Sequence, residues 1–460
     1  MTRVILCIGI FFSISFFAHG QMDSLLIESF QTAVDEYLSS SNAIGISTAV
    51  IAGEENWRYA SGKNSSTSDL DINSEFAIGS VSKTITSAVV LQMKEEEKLE
   101  LDDKINMYIQ DFENVHPDVT IKNLLNHTSG IYNYTNHPNF INDVIDKAEE
   151  ILEEEYIMEN FVLPPNFMPG VSWEYSNSNY ILLGMIIESI AGQPSYLEAR
   201  ERFSFDLNYP SIKMPPFESD LSDIAHLWLD VTGLGLPQID MQEDGFSLNA
   251  LFSAAGAAGA YVGTPIDIAH WAEDLYSGSL LQESTMTELL AVEWPSQNYG
   301  LGVAIVPLQC GQTVQGHSGN IIYSSITMYD QENEVAISIH CNDGDNPGVV
   351  GPLGFELMCI YDEYLQTVST IDTKEANDVR IYPNPSITDW TLEYEVTQVA
   401  NVDISIINEM GKVLENIRFR AQSPGLHQIK LDNSYPDGFY FVHITIGDQQ
   451  INRKLILNNK

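Results

Sequence analysis

The apolar pattern of this chain changes period several times, and those changes constrain the fold more than any other feature. Residues 24–39 place Leu26, Phe30, Val34 and Tyr37 at helical spacing. ISTAVIAG and NWRYASG then flank Glu54-Glu55 and predict two strands with a tight connection. After Ser80, TITSAVVLQMKEEEKL predicts a helix with one apolar face, and a helical, loop-rich, acidic middle follows. From about residue 295 the pattern returns to strands: NYGLGVAIV, TVQGHSG, SSITMYD and EVAISIHC are short β-rich runs between turn residues. PLGFELMCIYDEYLQT closes this part as a predicted helix. Helix, strands, helices, strands, helix is the order of an α/β fold. Its antiparallel sheet is flanked by helices, carries a helical subdomain, and draws strands from both ends of the chain.

A second unit follows. VSTIDTKEAND has no periodic apolar pattern, so a linker is expected over 367–378. Beyond it TLEYEV alternates, VDISIIN and FYFVHITI are β-rich, and NEMGK, SPG and YPDG supply turns. This predicts a small all-β sandwich over 379–460. The other end differs again. Arg3 precedes the apolar run VILCIGIFFSISFF and then Ala18-His-Gly20, the layout of a secretory signal over 1–20 with cleavage near Gly20. The competing reading is a retained anchor, but the run is short for a bilayer. The mostly Ala and Gly stretch SLNALFSAAGAAGAYVG, which holds Asn249, is expected to pack closely in a core rather than span a membrane. The first large domain therefore runs from 21 to 366.

The chain has 21 basic and 64 acidic residues, net −43. Residues 371–460 hold 9 and 12 of these, so the remaining 370 hold 12 and 52. Such a surface repels nucleic acid and anionic membranes and favours solubility. The runs EEEK (95–98) and EEILEEE (149–155) predict solvated helix faces. Of four cysteines, Cys7 leaves with the signal. Three remain, so at most one bridge forms. Cys310 and Cys341 each end a predicted strand and are the expected pair; three small buried hydrophobes is the bland alternative. No Cys/His spacing predicts a zinc site, and no metal or other cofactor is expected.

Three short motifs carry the chemistry. Ser80 and Lys83 are separated by i, i+3 and share a helix face, so the lysine amine can serve as base to a nucleophilic serine if its pKa is lowered. The bland reading is that Ser80 caps a helix. This is the one Ser-x-x-Lys in a chain with 13 lysines. Tyr175-Ser-Asn177 follows Pro169-Gly170 and leads into NYILLGMIIESIAG, so Tyr175 can shuttle a proton; the alternative is an unremarkable aromatic at a helix start. Tyr134-Thr-Asn136 and Tyr382-Pro-Asn384 share the spacing but not the context. His317-Ser-Gly319 lies in a strand-rich stretch where glycine lets a ligand approach the backbone. A lone strand histidine is otherwise a satisfied polar residue.

Taken in this order, Ser80-x-x-Lys83, Tyr175-x-Asn177 and His317-x-Gly319 resemble the serine β-lactamase-related family, which includes class C β-lactamases, D-alanyl-D-alanine carboxypeptidases, D-aminopeptidases and esterases. FAIGSVSKTITS, LLNHTSGI, PGVSWEYSNSNYILLG, AAGAYVGTPIDIAHWA and YGLGVAI extend the likeness over roughly 28–365. The resemblance implies a β-lactamase/transpeptidase-like fold and an acyl-enzyme on Ser80. Lys83 and Tyr175 would together activate it, and Tyr175 would pass the proton to the leaving group. Asn177, His317, Gly319 and Asn320 would bind substrate. The backbone N–H groups of Ser80 and Asn320 would form the oxyanion hole. His317 stands where many β-lactamases carry lysine, which turns the expectation towards peptidase or esterase chemistry. Residues 205–255 look least like the family and are expected to shape the substrate pocket.

The tail resembles a different family. Val379-Arg-Ile-Tyr-Pro-Asn-Pro385, INEMGKVL, Tyr435-Pro-Asp-Gly-Phe-Tyr440 and Arg453-Lys-Leu are similar to the C-terminal sorting domain of the type IX secretion system. That implies export through the periplasm to the cell surface or beyond, with the secretion machinery as partner. An adhesive or carbohydrate-binding sandwich is the alternative. The expected function is a secreted serine hydrolase of an ester or amide, D-peptide or β-lactam-like. Its rival is a catalytically inactive secreted binding protein on the same fold.

Overall fold

The computed structural model describes residues 22–41, 43–218, 224–372, 379–384, 386, 389–408, 412–431, 435–436, 438–447 and 449–457. The expected signal segment, 1–20, lies outside them. The chain divides into two compact units, one ending at Tyr361 and one beginning at Asp362.

In the first unit, helix α1 (Ser24–Ser41) buries Leu26, Phe30 and Val34, three of its four predicted periodic positions. The hairpin β1 (Gly45–Ala52) and β2 (Glu55–Gly62) follows. Helix α2 (Ser82–Glu95) starts directly behind Ser80 and is buried along nearly its whole length. The middle of the chain supplies α3 (Ser178–Ala191), α4 (Asn249–Gly259) and α5 (Pro265–Tyr276), together with short helices between them. Strands β3 (Ala304–Pro307), β4 (Thr313–Ile321), β5 (Tyr323–Asp330) and β6 (Val335–Cys341) return to the first hairpin, and α6 (Val350–Asp372) follows. The six-stranded sheet has the order β2-β1-β6-β5-β4-β3, and every pairing is antiparallel. The last strand of the run thus pairs with the first strand of the chain, Ile46 opposite Cys341, as the split strand pattern requires. Strands β1, β5 and β6 are buried almost throughout, which matches their near-continuous apolar or small residues.

The Ala/Gly stretch forms α4, broken at Gly256 (φ 41°, ψ −135°). Its small residues let it approach α3 closely: a Cβ on Gly184 would lie 2.9 Å from the Cβ of Ala257. Close packing, not membrane insertion, is what the composition encodes. No described helix is long and apolar enough to cross a membrane.

Three expectations are corrected. The linker begins later than predicted, because α6 continues through Asp372; VSTID carries neither Gly nor Pro to stop it, and 373–378 lie outside the described residues. The acidic run 149–155 is not one solvated face. Only Glu154 and Glu155 enter a helix, Glu154–Phe161. Glu154 is largely desolvated, which with nearby Glu188 pushes its carboxyl up to about 8. The disulfide joins Cys310 to Cys359, not to Cys341. Cys310 sits in the β3–β4 turn, whereas Cys341 ends the central strand β6, wholly buried, its thiol pushed up to about 12 by burial. Cys359 on α6 presents the second sulfur, with the two Cα atoms 5.6 Å apart. The bridge spans 49 residues. Cys359→Ser is expected to lower stability by about 2–4 kcal/mol, read as a lower urea midpoint, with a steeper slope because the uncrosslinked unfolded chain exposes more surface.

The second unit is all β. Strands β7 (Arg380–Tyr382), β8 (Trp390–Val396) and β11 (Gly425–Leu431) form one sheet in the order β7-β8-β11. Strands β9 (Ala400–Asn408), β10 (Val413–Gln422), β12 (Gly438–Ile446) and β13 (Gln449–Leu457) form the other, in the order β10-β9-β12-β13. Trp390, Leu392 and Tyr394 of the first share one core with Ile404, Val442 and Leu455 of the second, so the sheets pack face to face.

Candidate active site

Ser80 lies in a single 3₁₀ turn, Gly79–Val81, immediately before α2. The residue at the helix cap, Val81, contributes no side-chain hydrogen bond, and neither does Ile78 before the 3₁₀ turn. The capping explanation for Ser80 therefore falls away: its hydroxyl meets Lys83 Nζ at 2.9 Å. The turn is pressed against β4. Gly79 has φ +50°, and a Cβ there would lie 2.7 Å from the Asn320 backbone nitrogen. A Cβ on Gly319 would lie 1.9 Å from the Ile78 carbonyl oxygen, which also accepts from Ser325 Oγ at 2.7 Å. Only glycine at both positions lets the Ser80 and Asn320 backbones come this close.

Lys83, one helical turn on, is fully buried. Its Nζ lies 2.8 Å from Asn177 Oδ1 and 2.6 Å from the Ala258 carbonyl oxygen, besides Ser80 Oγ. Burial drives its pKa well below the usual lysine range. A neutral amine has two N–H donors and one lone pair. The two carbonyl oxygens can only accept, so they take both donors, and the lone pair is left to accept the Ser80 hydroxyl proton.

Tyr175 stands beside them, its ring centroid 5.1 Å from Lys83 Nζ. Its hydroxyl is shielded from solvent and makes no well-aligned hydrogen bond. Burial pushes the phenol far above the usual tyrosine range, against a smaller pull from Ser80. Asn177 is tied on all sides: its backbone N–H donates to Asn133 Oδ1, its Nδ2 lies 3.3 Å from Thr135 Oγ1, and its Oδ1 serves Lys83.

His317 on β4 is buried and its two ring nitrogens are both engaged. Nδ1 faces the Ser318 carbonyl oxygen at 2.6 Å and must donate to it. Nε2 then accepts from the Tyr299 hydroxyl at 2.9 Å. Burial, and after it the Lys83 amine, push the imidazole down to about 3, so it is neutral at any ordinary pH. Tyr299→Phe would leave Nε2 as a buried acceptor without a donor. A loss of about 1–3 kcal/mol in stability is expected, measurable by denaturant titration.

All seven residues expected from the sequence come together: Ser80, Tyr175, Asn177, His317, Gly319 and Asn320 line one cleft, with Lys83 directly beneath Ser80. Tyr134, rejected on context, forms the wall of a second cleft, and Tyr382 lies in the tail. Two participants carried no assigned role. Tyr299, from YGLGVAI, fixes His317. His127, from LLNHTSGI, is wholly buried and packs against Tyr175, ring centroids 4.2 Å apart and tilted by 39°. Its Nδ1 lies 3.2 Å from the Ser176 backbone N–H and 3.1 Å from Asn179 Nδ2, which fixes the ring from behind. Both stretches looked like family segments, but the sequence offers no sign that His127 adopts a left-handed backbone (φ 61°) that turns it towards Tyr175.

The two clefts meet at Ser80. One is walled by Tyr134, Phe140, Leu251, Ala255 and Ile321. The other carries Tyr175 and His317 and is closed by Pro347, Val350 and Pro352 at the start of α6.

The family model described as Beta-lactamase matches residues 30–352, and that of a secretion system C-terminal sorting domain matches 380–458. Among curated relatives, Penicillin-binding protein 4* of Bacillus subtilis (strain 168) is 34% identical over 125 residues, 27% of this chain and 27% of that protein. Teichoic acid D-alanine hydrolase of Staphylococcus aureus is 28% identical over 171 residues, 36% of this chain and 39% of that protein. The chain therefore spans well under half the length of the curated relatives it matches. Among solved structures, a D-stereospecific amidohydrolase from Streptomyces sp. aligns with TM-score 0.61 and 25% identity over 69% of this chain and 94% of that one. D-amino acid amidase from Ochrobactrum anthropi SV3 aligns with TM-score 0.63 and 23% identity over 75% and 100%, a likeness of fold.

Proposed function

We propose, from the premise that this chain belongs to the Beta-lactamase family and carries a secretion sorting domain at its C-terminus, that it is an exported serine hydrolase which cleaves an ester or amide through an acyl-enzyme on Ser80. The observation that carries this reading is the buried Lys83 amine, 2.9 Å from Ser80 Oγ and pushed towards its neutral form. Burial moves the two titratable neighbours of Ser80 in opposite directions, Lys83 down and Tyr175 up. Opposed shifts of this kind separate base from acid. Lys83 takes the Ser80 proton as Oγ attacks the carbonyl carbon. The backbone N–H groups of Ser80 and Asn320 receive the oxyanion. Tyr175 gives its proton to the departing oxygen or nitrogen, and the proton that Lys83 took from Ser80 restores the phenol. Water then releases the acyl group by the reverse proton path.

The likeness to the Staphylococcus teichoic acid D-alanine hydrolase and the Streptomyces D-stereospecific amidohydrolase supports D configuration in this chain's substrate, and nothing about its charge is carried over. In this reading the stretch from residue 21 into helix α6 is the catalytic domain. Residues 1–20 direct the chain into the periplasm, and 379–460 are read by type IX machinery for release to the cell surface or medium.

Intact mass after incubation with a penicillin or a p-nitrophenyl ester tests the nucleophile. A mass gain or ester turnover that disappears in Ser80→Ala is the expected result. Equal behaviour of the two proteins would end the acyl-enzyme reading.

A further inference from the structure

The clefts on either side of Ser80 share one chemical property. Among the described residues, neither is lined by an aspartate, glutamate, lysine or arginine. Lys83 lies beneath them, its amine spent on Ser80, Asn177 and Ala258. On its β4 wall the Tyr175 cleft carries His317 and, among the described residues, neither lysine nor arginine. The His317 ring is neutral, and its two nitrogens are already bonded to Ser318 and Tyr299. The cleft holding Tyr175 is the leaving-group side, since Tyr175 supplies the leaving group's proton. The cleft walled by Tyr134, Phe140, Leu251 and Ile321 then takes the acyl group, and it offers no carboxylate to an ammonium.

We propose that this site selects esters and amides that are uncharged on both sides of the scissile bond: a leaving group without a carboxylate, and an acyl group without a free ammonium. The inference rests on the acyl-enzyme reading above. It separates this chain from enzymes that cut terminal D-alanine from a peptide, whose leaving group is an anion. Two physical terms act together against anions. A charge entering either cleft loses water and meets no oppositely charged side chain among the described lining residues. The catalytic part of the chain, with 52 acidic and 12 basic residues in 370, also repels anions at long range.

The test uses three thioesters with one reacting bond. N-acetyl-D-alanyl thioglycolate methyl ester is uncharged, the free thioglycolate acid carries an anion on the leaving group, and the methyl ester without the acetyl group carries an ammonium on the acyl side. Thiol release by the full mature protein is followed for each. The uncharged substrate is expected to exceed the acid by about a hundredfold in kcat/KM, and the ammonium form by about tenfold. Raising the salt to about 1 M is expected to improve the acid and leave the uncharged substrate unchanged, because only the former feels the screened field. His317→Lys is expected to narrow the gap with the acid by about tenfold. Parity or preference for either charged substrate in the wild type overturns the proposal, whether or not the variant folds. Turnover of none of the three, with Ser80 also unmodified by an activated ester, removes the hydrolase reading on which it stands.

Discussion

Lys83→Met is expected to lower kcat/KM for an activated ester by about a thousandfold or more while the protein stays folded. Methionine matches the length of the lysine stem and keeps the packing under α2. What it removes is the lone pair that accepts the Ser80 proton. Asn177 Oδ1 and the Ala258 carbonyl oxygen lose their donor as well, at an expected cost of about 1–3 kcal/mol. A second effect opposes this loss. Lys83 has a folded-state pKa below its unfolded value. Between those two values the unfolded chain binds more protons than the folded one, so the lysine's burden on stability is greatest below the depressed pKa and fades as pH rises towards the usual lysine range. The variant lacks that pH dependence. Circular dichroism at several pH values therefore distinguishes a lost base from a lost fold. In the wild type, kcat/KM is expected to rise with pH through the depressed Lys83 pKa, well below where a solvated lysine titrates. An acid limb absent in wild type, or an active Lys83→Met, would show that Lys83 is not the base.

Much of this site was legible because its parts follow local rules. Ser80 and Lys83 are one helical turn apart, so any helix there aligns them. Period-2 and period-3.6 runs fixed the order of elements, and a sheet drawing on both chain ends had few ways to close. The residues that escaped are those whose roles depend on contacts between distant segments. Tyr299 matters because β4 places His317 beside it. Ala258 matters because the break at Gly256 leaves its carbonyl facing Lys83 from 175 residues away. The Cys310–Cys359 bridge escapes for the same reason: strand ends point to Cys341, while the bridge runs from a turn to a helix. Glu154 sits in an acidic run whose composition predicts a solvated face, yet Gly184 and Gly256 open a space that its carboxyl fills. Sequence periodicity registers none of these approaches.

Tyr175→Phe is expected to act unequally on two kinds of substrate, and that inequality identifies its role. The variant keeps the ring and its packing against His127, so the loss is confined to one hydroxyl. If Tyr175 supplies the leaving-group proton, the cost scales with how badly the leaving group needs one. An amide nitrogen cannot depart as an anion, so amide hydrolysis is expected to fall by about a thousandfold. A p-nitrophenolate departs unaided, so its ester is expected to lose only about tenfold. The phenol's upward shift supports this assignment, since a group held in its protonated form is ready to donate. Equal losses on both substrates would instead place Tyr175 on the Ser80 proton, as base, because that step is common to both. The removed hydroxyl makes no well-aligned hydrogen bond in the resting site. Its deletion is therefore expected to leave the denaturation midpoint nearly unchanged, so the kinetic difference can be read as chemistry rather than as damage to the fold.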